Sequence, residues 1–248
     1  MRTTGPSSSR RLPVALLLIM VAAAMIPAPA AAQYTESAYF ETWMDFRTIY
    51  NFSSRFRYDG DYAFRAALST ADFTQVSIRP AARFEVESWL RLHGGVGWFH
   101  TFFRGADDVD ELRPWLGIRV PWPRFGGWVV SNFFRLELRA FNFRTGGDWE
   151  FAWRARYQLQ VRSPDFRIGS AEGFYALAFV EPFHNFGSFL EGISVDRLRL
   201  NAGAGKNMAG GWRVELNAMF QKGRVREGSG GFDLDEFILR LRLFYSFN

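Results

Sequence analysis

Arg135, Glu137 and Arg139 stand at alternate positions, as do Arg154 with Arg156, Arg197 with Arg199, and Arg240 with Arg242. A guanidinium is a planar fork that bonds two carboxylate oxygens at once and stays charged at low dielectric. Such a series can tie neighbouring strands together or hold an anion. Bond-breaking chemistry must be sought elsewhere. The chain has no cysteine, which excludes a thiol nucleophile, a thiolate metal site and a disulfide framework. That leaves three histidines. His100 beside Thr101 and His184 before Asn185 lie at strand ends, where a lipid-hydrolysing site could sit, but no serine elbow accompanies either. His93, beside Gly94 and Gly95, is expected inside with the arginines. Asp107, Asp108 and Asp110 form an acidic loop that a divalent cation could visit, although a solvated loop is the simpler reading. Gly203-Ala-Gly205-Lys206 has no helix after it and is not a phosphate loop. No metal or cofactor is expected.

The elements that carry these residues have a period of two. Phe237, Leu239, Leu241, Leu243, Tyr245 and Phe247 fall on one face, and Glu236, Arg240, Arg242 and Ser246 on the other. A helix would mix the two sets, whereas a strand separates them. Eleven such segments can be read: 37–50, 54–68, 74–86, 89–103, 111–121, 128–145, 148–162, 172–184, 196–206, 211–222 and 233–247. Strands of about ten residues with large apolar side chains outside and charges inside are what a membrane β-barrel requires. The 27 Phe, 9 Trp and 8 Tyr fit such a surface. The expected fold is therefore all-β, a single antiparallel transmembrane up-and-down barrel. Because bacterial barrels of one chain have even strand numbers, about 12 strands are expected, with 10 as the alternative. The alternation changes phase near Ala140-Phe141, which predicts a bulge, and Pro80 predicts a local bend. Glu87-Ser88, Pro121–Arg124, Pro164–Glu172 and Asn207–Gly210 are the expected near-side turns. Arg104–Asp110, Asn185–Val195 and Gly223–Phe232 are the expected outer loops.

Residues 1–32 read as a cleaved signal peptide, with Arg10-Arg11, the apolar stretch Leu12 to Ile26, and Ala30-Ala31-Ala32 before Gln33. The barrel then occupies 33–248. Removing the leader reduces the formal charge from +5 to +2, which gives no basic face for nucleic acid. The face assignments send 19 arginines inward: Arg113, Arg135, Arg139, Arg154, Arg156, Arg197, Arg199, Arg240 and Arg242, joined by Arg47, Arg55, Arg57, Arg65, Arg79, Arg83, Arg91, Arg119, Arg162 and Arg213. They send 12 acids with them: Glu137, Glu150, Glu181, Glu41, Asp45, Asp59, Asp61, Glu85, Glu87, Glu111, Glu215 and Glu236. The surplus is cationic. Around Glu137, the four arginines 135, 139, 154 and 156 are expected to gather, with Glu150 meeting part of their charge.

The pieces Glu111-Leu-Arg113-Pro114, Arg135-Leu-Glu137-Leu-Arg139, Trp153-Arg154-Ala-Arg156-Tyr157 before Ser163-Pro164, Glu181-Pro-Phe183-His-Asn185 and Arg197-Leu-Arg199-Leu-Asn-Ala-Gly203 come in series over most of 37–247. In that series the chain resembles the "domain of unknown function 2490" family (DUF2490) of outer-membrane barrels. The resemblance implies a barrel in the outer membrane of a Gram-negative-type envelope and implies no activity. It also implies outer-membrane lipid, lipopolysaccharide and the barrel-assembly machinery as partners. The apolar alternation up to Phe247 looks like the insertion signal, although the chain ends in Asn248. The expected function is structural or passive-transport and porin-like, with a narrow Arg/Glu lumen either sealed or admitting small anions. An outer-membrane enzyme acting on lipid or lipopolysaccharide, and a soluble secreted β protein, are the alternatives.

Overall fold

In the computed structural model, described over residues 39–68, 73–143, 147–186, 196–224 and 234–247, the alternating segments form thirteen strands. They are β1 (Tyr39–Asn51), β2 (Phe56–Ala67), β3 (Phe73–Ile78), β4 (Ala81–Glu87), β5 (Leu90–Phe103), β6 (Val109–Pro121), β7 (Val129–Phe143), β8 (Trp149–Arg162), β9 (Phe166–Ile168), β10 (Ala171–Phe186), β11 (Asp196–Asn207), β12 (Trp212–Arg224) and β13 (Leu234–Phe247). Strands β3 and β4 are two halves of one stave. Both pair with β2 and β5, and only Arg79-Pro80 parts them. Pro80 has no N–H for the ladder, yet Arg79 N donates to Asp61 O at 2.7 Å and Val96 N to Pro80 O at 3.1 Å, so pairing resumes at once. Strand β9 is a short addition to the start of β10.

The sheet closes on itself as a barrel of eleven staves, against the expected count of about 12 and its alternative of 10. The even-number expectation is corrected by one feature. β1 and β13 pair parallel, in register from Tyr39↔Glu236 to Tyr50↔Phe247, whereas the other pairings are antiparallel. An odd set of alternating strands brings its first and last members together pointing the same way, so closure demands a parallel seam. Following the ladder from Val129 on β7 through Arg162, Leu177, Gly203, Asn217, Arg240, Trp43, Arg65, Gln75, Thr101 and Val109 returns to β7 at Phe143, 14 residues along the strand. That stagger tilts the staves and widens the interior enough for long side chains to enter from all sides.

Turns 52–55, 88–89, 122–128, 163–170 and 208–211 lie at one rim, which includes every expected near-side turn. The Arg104–Asp110 loop lies at the opposite rim, where β1 also begins. The leader 1–32, most of the loops 185–195 and 223–232, and Asn248 lie outside the described residues. The expected bulge at Ala140-Phe141 is absent. β7 keeps one register against β6 from Val109↔Phe143 to Pro121↔Ser131, and one against β8. The change of phase has another cause: Phe141 takes an inward position, where the Arg139 guanidinium covers its ring at 4.5 Å.

Thirty-eight large apolar side chains are exposed, most of them at outward strand positions, with Met44, Leu116, Leu136, Leu216 and Leu241 at mid-strand and Trp149 and Trp212 at strand ends. The buried carboxylates Glu41, Asp45, Asp61, Glu111, Glu137, Glu181 and Glu215 all point inward. The molecule is inverted relative to a water-soluble domain, in which the interior would hold the apolar set.

Candidate functional site

Pleating sends alternate residues of every stave to a shared axis, so a charged interior follows from period two alone. The resulting cavity has a volume of about 650 Å³ and is lined by 18 arginines, all those expected inside except Arg55, and by eight acids. Arg55 belongs instead to the exposed 52–55 turn.

Glu137 is the densest node. It is 1% exposed, is ion-paired with Arg135 at 2.8 Å, and accepts hydrogen bonds from Arg154 at 2.6 Å and Arg156 at 2.9 Å. The register sets Arg135 opposite Arg156 and Glu137 opposite Arg154, so the carboxylate lies between two guanidinia that would otherwise repel. Arg156 reaches on to Glu181 at 2.6 Å, Glu181 receives Arg199 at 3.4 Å, and Arg199 Nε bonds Gln221 at 2.9 Å. Gln221 donates to Glu236, which pairs with Arg197 at 3.6 Å. Two expectations for this region need correcting. Arg139 lies opposite Ala152 and bonds Glu111 at 2.6 Å, sharing it with Arg113 at 2.8 Å. Glu150 is exposed at the loop rim and pairs with no cation among the described residues.

A second node, outside that set, closes the seam. Asp45 on β1 is bonded by Arg240 on β13, and Arg79 Nη2 joins it at 2.9 Å while also holding Asp61 of β2 at 2.7 Å. Arg242 links Glu215 at 3.0 Å. Ion pairs therefore cross the parallel seam, where the backbone ladder is the weaker kind.

Charge counting missed the third partner of the arginines. Trp43, Phe99, Phe133, Phe183 and Phe244 project inward: Arg113 covers Phe99 at 3.9 Å, Arg65 covers Trp43 at 3.9 Å, Arg213 covers Phe244 at 3.8 Å, and Arg156 and Arg199 flank Phe183 at 4.4 and 4.8 Å. Ring faces are negative and attract guanidinium without adding charge. The signal was available in the parity: Phe133 and Phe244 each stand two residues from an inward arginine. Trp43, Met219 and Ile238 pack together inside. Tyr175 bonds Glu215 at 2.7 Å, and its ring occupies the space over Gly205, where an added Cβ would lie 2.2 Å from it. Gly203 makes room instead for Asn217, whose Oδ1 would lie 2.4 Å from an added Cβ.

Among the histidines, His100 faces outward near the loop rim, with Nδ1 2.9 Å from Asp110 and Nε2 3.8 Å from Asp108, between Trp98 and Phe102. It bonds no serine or threonine hydroxyl among the described residues, so a nucleophile is missing from that dyad. His184 stacks on Phe186. His93 faces the cavity. No group of three metal-ligating side chains occurs among the described residues.

A family model described as "Protein of unknown function (DUF2490)" matches residues 40–232. No curated protein matches the chain. Five chains of solved structures match, among them the β domain of the Bordetella autotransporter BrkA, with 12% identity and a TM-score of 0.45 over 69% of this chain and 79% of that one.

Proposed function

The chain belongs to the DUF2490 family, and from that premise we propose that it is an outer-membrane β-barrel of passive type, exported by its leader, whose narrow lumen admits small anions. The outward face supports the membrane. Thirty-eight exposed large apolar side chains would be a severe liability in water, whereas a barrel surrounded by lipid tails requires them. Aromatic residues at the strand ends, such as Trp149 and Trp212, suit the two interfaces. The observation that carries the transport reading is the lining of the cavity, where 18 arginines meet eight acids. Passing cations are repelled by that surplus, and the ion-pair belt with Trp43 leaves room only for small solutes.

Planar-bilayer recording of the refolded barrel tests this reading. The expected result is a small conductance whose reversal potential in a salt gradient shows anion preference. A large cation-selective conductance would refute it, and a silent barrel would refute transport while leaving a sealed structural role.

A further inference from the structure

Near the turn rim the lumen repeats the motif of facing arginines, but no carboxylate lies between them. Arg57 on β2 is directly opposite Arg83 on β4, Arg83 is opposite His93 on β5, and Arg91 on β5 is opposite Arg119 on β6. All five line the cavity. Two are neutralised from the side: Arg57 by Asp59 at 3.0 Å and Arg91 by Glu85 at 2.9 Å. The other three are not. The Arg83 guanidinium makes no side-chain hydrogen bond or close ion pair with any described residue and its Nε is buried without a partner, the carboxylates of Asp59 and Glu85 acting on it only at longer range while each is engaged by its own arginine. Among the described residues, the Arg119 side chain has only the Ser131 hydroxyl at 2.9 Å and the ring of Phe133 at 4.4 Å. His93 packs against the same ring, 5.1 Å away, with Nε2 buried and unpartnered. Register puts Arg57, Arg83 and His93 in one cross-strand row and Arg91 and Arg119 in a neighbouring row two residues along, so the five groups adjoin on one stretch of the inner wall.

Like charges placed directly opposite on a sheet repel, and unmet buried donors are costly. A carboxylate bonded directly to Arg83 and Arg119 would relieve both at once, as Glu137 does elsewhere, and among the described residues Asp59 and Glu85 are bonded to Arg57 and Arg91 instead. We propose that this cluster is a binding site for a small soluble oxyanion of the phosphate or sulfate class, held by Arg83, Arg119 and His93 with Arg57 and Arg91 behind them. A tetrahedral oxyanion has acceptor oxygens on several sides, which matches donors converging from β2, β4, β5 and β6. Its source is the solute in the lumen and not a lipid headgroup, because the groups face away from the apolar exterior. The inference rests on the preceding reading only in requiring that the lumen be open to the turn rim.

Isothermal titration of the barrel, refolded in an uncharged glycosidic detergent free of phospholipid, tests the site. The probes are inorganic phosphate and sulfate, with chloride at matched ionic strength as the reference. Phosphate is expected to bind one per chain and chloride to give no comparable heat. R83Q removes no ion pair, so it should fold and show the usual shift in gel migration on heating, while weakening phosphate binding about tenfold, the scale of one charge-assisted bond. R119Q should do the same, and R119K, which keeps the charge without the fork, should lose less. No phosphate binding by the parent, or equal binding by R83Q, R119Q and the parent, overturns the site. Binding by a silent barrel would leave the site standing and remove transport. Conductance without phosphate binding would do the reverse.

Discussion

The Glu137 node and the turn-side cluster present the same cross-strand problem with different solutions. In each, arginines are set opposite one another by register: Arg135 with Arg156 in the first, Arg57 with Arg83 and Arg91 with Arg119 in the second. The first is bridged from within, by a carboxylate 1% exposed, ion-paired with Arg135 and hydrogen-bonded by Arg154 and Arg156. The second leaves Arg83 and the Nε2 of His93 without partners. The difference separates charge used as structure from charge left available. A bridged arginine stabilises the wall and has no capacity for a ligand, while an unbridged one raises the energy of the empty wall and lowers it again when an anion arrives.

The largest effect should come from removing the bridge. Glu137→Gln leaves Arg135, Arg154 and Arg156 facing one another, which is expected to cost about 3–5 kcal/mol. Urea titration of the barrel in vesicles measures it, with Glu150→Gln at the exposed rim as the matched change and little effect expected there. Equal losses from the two would mean that the node contributes nothing special. Next in size is the exterior. Leu241→Arg puts a charge on the mid-strand outer face and is expected to cost about 2–4 kcal/mol of folding into vesicles. Arg240→Leu should be milder, because Asp45 keeps Arg79 at 2.9 Å. The reverse ranking would exchange inside and outside, and the contrast between the two lumen regions would lose its meaning.

Both regions were legible to different depths in the sequence. Period two located eleven segments and the faces of nearly all charged residues, because pleating leaves a strand only two sides. The closure was not legible: eleven segments invited rounding to an even count, and the parallel pairing that accepts an odd one is set by residues as far apart as Asp45 and Arg242. Cross-strand register decides which arginine meets which acid, so spacing alone groups Arg139 with Glu137 although the ladder gives it to Glu111. Residue type alone assigns aromatics to the exterior, whereas Trp43 and Phe244 belong to the interior by position. The turn-side cluster was present in the list of inward arginines but invisible as a cluster, since Arg57, Arg83, His93 and Arg119 come together only across four staves.

The smallest expected effect is also the sharpest, because it converts one region into the other. His93→Glu places a carboxylate opposite Arg83 and one strand away from Arg119, the relation that Glu137 has to its arginines. The site is occupied by a side chain of similar reach, and the Phe133 ring covers Gly117 opposite. Forming charge-assisted bonds to arginines that now have none should outweigh the loss of the contact between His93 and Phe133, and raise stability by about 1 kcal/mol. The same substitution should abolish the stabilisation that added phosphate confers on the parent, since the intramolecular carboxylate occupies the anion's place. Thermal melts with and without phosphate, at matched ionic strength, read both effects together. A variant that gains stability and still responds to phosphate would place the anion elsewhere. One that loses stability would show that the arginines of the turn-side cluster are already satisfied, and that the two regions differ in sequence without differing in energy.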